Sequence, residues 1–236
     1  MIEVSKVRVV GWEPAVRGTR NPMNSWEKSD SNFSCETCDG CYYESEKITT
    51  EGYGTVDCWC NNTALRIGPN DLALMTRLAN AGPDHGKFLR MITIYMDINA
   101  PLYWWKEFDT YKVGTVANSC STMHKILSKE FELEDFSHEH LCEWAKGELE
   151  CVIEHLNHYR YKYNNYEVNE GYTKKDCWWQ MIQLLPSSYN QKRTVQLNYQ
   201  VLKSMYHARK NHKLDEWIDF CKWCETLPYF KEICIE

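Results

Sequence analysis

A chain of 236 residues with 43% hydrophobic and 25% charged residues can bury one substantial core, so 1–236 reads as a single domain with room for an insert. The formal charge of −6 and pI near 5.8 exclude a general nucleic-acid or membrane surface, which would show a basic excess or stripe. A small anionic ligand stays open, because it needs only a local pocket.

The N-terminal residues Met1 to Gly11 include Glu3, Lys6 and Arg8 and lack the apolar run of a signal peptide. No later run approaches a membrane span, so the expected location is the cytoplasm. There the twelve cysteines are expected to be mostly reduced, and clusters among them read as metal sites or buried small hydrophobes. Val4, Val7, Val9 and Val10 followed by polar Arg17 to Pro22 read as a strand that leaves the core into a loop. From Ser31 to Asn62 aliphatic residues thin out, which marks a Cys-rich insert at 31–62. Its Cys35, Cys38, Cys41, Cys58 and Cys60 offer thiolates for zinc, ahead of an iron–sulfur cluster. A flexible reduced insert is the alternative.

After Pro69, Asn70 or Asp71 can cap a helix with Leu72, Met75, Leu78 and Ala79 on its apolar face, stopped by Gly82-Pro83. Ile92, Ile94, Met96 and Ile98 alternate with Met91, Thr93, Tyr95 and Asp97, the period of a strand with one buried face. Pro101 suits the first turn of a helix carrying Tyr103, Trp104, Trp105 and Phe108, and Gly114 breaks the chain. The following loop, with Lys112, Thr115, Asn118, Ser119, Ser121, Thr122, His124 and Lys125, is dense in donors for a phosphate and a base edge.

A long helix is expected from near Ser137 towards Tyr163, with Leu141, Ala145, Leu149, Val152, Leu156 and Tyr159 inward. A helix with Trp178, Met181, Ile182 and Leu185 ends at Pro186, and Tyr189 to Leu197 alternates as a strand. Asn198 can cap the next helix, with Val201, Leu202, Met205 and Ala208 on its inner side and Arg209 a turn beyond Met205. The last helix carries Leu214, Trp217, Ile218, Cys221 and Cys224, the two cysteines read as packing. His138, His140, His155 and His158 fall on charged faces and receive no chemistry. Interleaved strands and long helices define an α+β class.

The run Ala100 to Lys112 resembles the strand-to-helix entry of the flavin-dependent thymidylate synthases, where an Ala-Pro pair leads through a Gln-Trp-type helix into the signature RHRxxSxNExSxRY. Leu185-Pro186, Tyr189, Asn198 and Arg209 match a second pattern of that family at its own intervals, and together the likeness covers roughly two thirds of the chain. Departures accompany it. Thr110, Tyr111 and Lys112 stand at the Arg-His-Arg positions, Thr115 replaces the signature Ser, and Asn118 and Ser121 align only with one inserted residue. Gln200, Ile182 and the residue after Phe88 lack the family's Arg, Arg and His.

The resemblance implies the family's α+β fold, with a mixed sheet and long helices, a homotetramer, and a pyrimidine nucleotide such as dUMP as ligand. It implies FAD and folate as cofactors for transfer of a one-carbon unit to pyrimidine C5, a methyl- or hydroxymethyltransferase reaction. Lys112, Asn118, Ser119, Ser121, Arg209 and Glu107 are then expected at the nucleotide, and Asn198, Thr110, Tyr111, Thr115 and Ser204 at the flavin. Arg209 is expected to stabilise charge developing on the ring. Cys120 is a candidate nucleophile if a neighbouring Lys112, His124 or Lys125 lowers its pKa, against burial as an ordinary small hydrophobe. The alternative function is a non-catalytic nucleotide sensor or sequestering module that has lost flavin chemistry.

Overall fold

The computed structural model describes residues 2–32, 66–166 and 171–235. Among the described residues four strands are formed, β1 (Glu3–Val10), β2 (Thr93–Pro101), β3 (Val116–Ser119) and β4 (Asn190–Asn198). The helices are α1 (Trp12–Arg20), α2 (Pro69–Asn80), α3 (Leu102–Phe108), the single turn α4 (Thr122–Lys125), α5 (Glu143–Asn164), α6 (Lys174–Leu184), α7 (Tyr199–Arg209) and α8 (Asp215–Cys224).

The sheet order is β1-β2-β4-β3, and every neighbouring pair is antiparallel. This corrects the expected mixed sheet. Pro101, the last residue of β2, pairs with Asn190, the first of β4. The long excursion through α3, β3, α5 and α6 therefore returns the chain to the end of the sheet it left, and such a return makes the strands run in opposite directions.

Ile94, Met96, Ile98 and Ala100 of β2 are fully buried while Tyr95 is exposed, as the alternation predicts. The covered face meets Trp104, Trp105 and Phe108 of α3, Leu202 and Met205 of α7, and Trp217 and Phe220 of α8 in one core. Trp104 is its hub, with ring centroids 4.9 Å from Trp105 and 4.7 Å from Trp217. A smaller cluster of Ile126, Phe131, Phe136, Leu149, Ile153, Leu156 and Met181 joins α5 and α6 into a helical lobe.

The polar stretch after β1 is a helix rather than a loop. Gly11 turns the chain at φ 92°, a conformation that favours glycine, and Pro14 falls in the first turn, where its missing N–H costs nothing. Trp12, Ala15, Val16 and Thr19 share the buried face. At the start of α2, Gly68 is the cap and Pro69 the first helical residue. Neither Asn70 nor Asp71 caps; instead Asp30 accepts from the Asn70 N–H at 2.9 Å and the Asp71 N–H at 3.1 Å.

Helix α5 begins at Glu143, six residues after the expected Ser137. Phe136 bridges Tyr189 and the Ser137 N–H donates to the Ser188 carbonyl at 2.8 Å, so this stretch is held extended beside β4. Leu141 is consequently exposed and Ile153 joins the inner face. On α7 the inner residues are Tyr199, Leu202, Met205 and Tyr206, whereas Ala208 is exposed. Cys221 and Cys224 are buried as read.

Candidate functional site around Arg209

Helix α3 ends beside the sheet, and its C-terminal turn is fastened by Arg193 of β4, which donates to Asp109 at 2.8 Å and stacks over Trp105 at 4.2 Å. The Thr110 and Tyr111 N–H groups then close on the carbonyls of Glu107 and Phe108 at 3.1 and 3.0 Å. Glu107 and Tyr111 are thereby presented on one side. Helix α7 brings the opposing residue. Its entry is fixed by Asn198, whose side-chain oxygen accepts from the Val201 N–H at 3.1 Å, and its last residue is Arg209.

Arg209 donates through Nη1 to Glu107 Oε2 at 2.6 Å and through Nε to the Tyr111 hydroxyl at 3.0 Å. Its guanidinium lies 5.0 Å from the Trp217 ring centroid and 5.7 Å from that of Tyr111, within cation–π range. Trp217 Nε1 also donates to Glu107 Oε2 at 3.2 Å. His212 completes the group, its Nε2 lying 3.2 Å from Glu107 Oε2 and 3.0 Å from Arg209 Nη1. Because His212 Nδ1 accepts from the Leu214 N–H at 3.1 Å, the proton of the neutral ring is assigned to Nε2, facing Glu107.

Solvent reaches this cluster. The Arg209 side chain is 20% exposed and that of Glu107 33%. Every protein contact to Glu107 falls on Oε2, and those to Arg209 fall on Nε and Nη1. Among the described residues, Glu107 Oε1 and Arg209 Nη2 are left with no hydrogen-bond partner.

At the other end of α7, Gly114 has φ 77°, and a Cβ there would sit 3.0 Å from Asn198 Nδ2 and 3.2 Å from Val201 Cγ2. Only glycine fits both the turn and the approach. The segment from Tyr111 to Gly114 thus runs along α7 from Arg209 back to Asn198. Of the residues expected at a flavin, Thr110 donates its hydroxyl to the Glu107 carbonyl at 2.7 Å and Ser204 donates to the Gln200 carbonyl at 3.0 Å. Tyr111 accepts from Arg209, and the Asn198 oxygen is used as a cap. The Thr115 hydroxyl is buried without a partner. Thr110 and Tyr111 are thus tied inward, and the buried Thr115 hydroxyl lies beside the first turn of α7.

Of the remaining expected residues, Asn118 and Ser119 lie on the edge strand β3, Cys120 and Ser121 follow it, and Lys112 precedes it. Lys112, Asn118, Ser119 and Cys120 are exposed and Ser121 is half-buried, with Asn118 opposite Thr194 and Ser119 opposite Arg193. The Cys120 backbone is anchored, its N–H to the Lys192 carbonyl at 2.9 Å and its carbonyl to Gln191 Nε2 at 2.8 Å. The side chains of His124 and Lys125 lie outside the described residues, as do Cys35, Cys38, Cys41, Cys58 and Cys60. No group of three or more His, Cys, Asp or Glu that could hold a metal occurs among the described residues, and no helix there is long and apolar enough to cross a membrane.

The structure thus joins Arg209 with Glu107 and Tyr111, and adds His212 and Trp217, which sequence reasoning left as an unassigned residue and a core residue. The available signal was His212 only three residues beyond Arg209, in the turn that closes with the His212 N–H on the Arg209 carbonyl at 2.9 Å.

An antiparallel sheet backed by α3, α7 and α8, with an arginine at the end of α7 facing the turn after α3, defines an α+β protein with the fold of the flavin-dependent thymidylate synthases. Two solved structures share it. Thymidylate synthase X from Helicobacter pylori, solved with FAD and dUMP, superposes with a TM-score of 0.64 and 17% identity over 100% of this chain and 98% of its own. A flavin-dependent thymidylate synthase ThyX structure from the same organism, complexed with FAD and dUMP, gives 0.57 and 17% identity over 98% of both chains. No protein-family model matches the sequence, and no curated protein matches it.

Proposed function

We propose that the protein binds a pyrimidine nucleotide of the dUMP type, with Arg209 and Glu107 at the base. The observation that supports this most is the half-satisfied ion pair. Arg209 is fixed on three sides by Tyr111, Glu107 and Trp217, yet keeps Nη2 free at a solvent-accessible position. A fixed fork of donors at the rim of a site is what orientation of a planar carbonyl ligand requires. The likeness in fold to structures that contain dUMP points to the same class of ligand, with Lys112, Asn118, Ser119 and Ser121 as further nucleotide contacts.

The catalytic form of this reading is transfer of a one-carbon unit to pyrimidine C5 with reduced flavin and folate, Cys120 being the candidate nucleophile, in a homotetramer. The unpartnered Thr115 hydroxyl and the Asn198 amide beside it would be the retained FAD contacts. The second reading, nucleotide binding without flavin chemistry, is favoured by Tyr111, whose hydroxyl serves Arg209.

Thermal unfolding with dUMP, FAD or both tests the proposal. dUMP is expected to raise the midpoint of the wild-type protein and not that of Arg209→Ala, because a ligand stabilises only the state that binds it. A wild-type midpoint that dUMP leaves unchanged overturns the nucleotide reading. A yellow protein, or a further rise with FAD, selects the catalytic form; a colourless protein that responds to dUMP alone selects the second.

A further inference from the structure

Arg20 ends α1 with its side chain only 7% exposed. Asp71 Oδ1 accepts from its Nε at 2.7 Å and lies 2.7 Å from Nη2. Nη2 makes no hydrogen bond, and Nη1 has no partner among the described residues. Ser25, whose N–H donates to the Arg20 carbonyl at 3.3 Å, also buries its hydroxyl without a partner. A guanidinium carries five N–H donors, and unpaired donors on a buried group cost free energy that a bound acceptor recovers.

Arg20 lines a cleft of about 630 Å³ between the segment that follows α1 and one stripe of α2. Asn70, Leu74 and Arg77 form that stripe, at the three- and four-residue spacing of one helical face. Two short turns, Asn21–Met23 and Trp26–Lys28, bring Lys28 to the same cleft, and they are tied together by Trp26 Nε1, which donates to Asn21 Oδ1 at 2.7 Å. Arg77 and Lys28 are exposed and form no ion pair among the described residues. Of the two carboxylates at the cleft, Asp30 directs both oxygens to the first N–H groups of α2, at 2.9 and 3.1 Å. Glu27 alone is left to oppose Arg77 and Lys28. Met23 and Leu74 add apolar surface.

We propose that this cleft binds the phosphate group of a small molecule, with Arg20, Arg77 and Lys28 as its donors. Asp71 balances the charge of Arg20, so Arg20 supplies donors while Arg77 and Lys28 supply the charge. The donors come from the end of α1, the turn after it and α2, so they approach from separate elements. A phosphate meets them with three strong acceptor oxygens and about two negative charges, whereas a planar carboxylate offers two oxygens in one plane. The site shares no residue with the Arg209 cluster or with the positions expected at the nucleotide and the flavin.

Titration calorimetry of the full chain at constant ionic strength, with inorganic phosphate and with phenyl phosphate, tests this. Saturable binding is expected, weakened at least about tenfold in the double variant Lys28→Ala/Arg77→Ala, which removes charge-assisted hydrogen bonds. Tighter binding of phenyl phosphate assigns the cleft to an organic phosphate that also covers Met23 and Leu74; tighter binding of inorganic phosphate assigns it to the free anion. No saturable binding of either probe overturns the proposal. So does a double variant that binds as the wild type does, or a Lys175→Ala protein, altered on α6, that weakens binding as much, since binding would then follow general charge. Arg209→Ala should bind both probes as the wild type does. A loss there, instead of in the cleft variant, puts the phosphate at the nucleotide site and overturns the cleft.

Discussion

Two corners of the molecule are built on the same chemistry, an arginine against a carboxylate, and differ in how completely the pair is used. Between α1 and α2, Arg20 donates to Asp71 at 2.7 Å, with the two side chains 7% and 0% exposed. Asp71 also accepts from the hydroxyls of Ser29 at 2.7 Å and Ser31 at 2.6 Å, and from the N–H groups of Asp30 at 3.2 Å and Ser31 at 3.1 Å. Both of its oxygens are occupied. Between α7 and α8, the Arg209–Glu107 pair is partly exposed and keeps one oxygen and one nitrogen open. The fully used Asp71 carboxylate holds chain to chain, pinning the Ser29–Ser31 segment against α2. The half-open pair has bonding capacity left for something else.

Breaking the buried corner should have the largest effect. Asp71→Asn leaves the Arg20 guanidinium buried without its counter-charge, and removing one partner of a buried pair costs roughly 3–5 kcal/mol. Urea unfolding should show that loss, while dUMP should still raise the melting point of the variant that remains folded. A loss below about 1 kcal/mol, the scale of an exposed pair, would mean that the α1–α2 corner is no tighter than the α7–α8 one. Arg209→Ala is the mirror case. Its pair is accessible to solvent, so its stability should stay within about 1 kcal/mol of wild type while the nucleotide response disappears.

The two corners also differ in acid. Burial raises the Asp71 carboxyl, but hydrogen bonds from Ser31, Ser29 and Arg20, together with the Arg20 charge, outweigh it and hold the carboxyl below its ordinary value of 3.8. A carboxyl depressed on folding stabilises fully above its unfolded value and loses that contribution as pH falls through its folded value. The wild-type melting temperature should therefore drop more steeply than that of Asp71→Asn once pH falls below 3.8. Parallel curves for the two proteins would remove Asp71 from the acid response.

How legible these corners were in the sequence follows from the range of the contacts. The Asn198 cap bonds three residues ahead and the alternation of β2 acts just as locally, so both were readable, whereas Pro101, expected in the first turn of α3, is the last residue of β2 and the cap of that helix. The Arg209–Glu107 contact spans 102 residues and the Arg209–Tyr111 contact 98. The family likeness supplied Arg209 and Glu107, but not that Tyr111 turns towards Arg209. Helix α1 was hidden because Thr19 and Arg20 look solvated, whereas Thr19 donates to the Val16 carbonyl at 2.7 Å and Arg20 is neutralised from 51 residues away. A buried polar residue imitates a loop until its partner is known.

The smallest effect probes what stands behind the half-open pair. Trp217 holds Arg209 only if α8 is sealed against the core, and the thiols of α8 report that seal. Burial pushes Cys221 up to about 11 and raises Cys224 well above the usual thiol range, and beyond α8, in the segment Lys231–Ile235, it pushes Cys234 up to about 12. Cys120, Cys142 and Cys151 are exposed, whereas Cys177 is buried. Reaction needs the thiolate and access to it. Iodoacetamide on the native protein at about pH 8, followed by peptide mapping, should therefore modify Cys120, Cys142 and Cys151 and spare Cys177, Cys221, Cys224 and Cys234. If Cys221 reacts as fast as Cys151, α8 opens on the timescale of labelling. Trp217 would then be no fixed wall for the guanidinium.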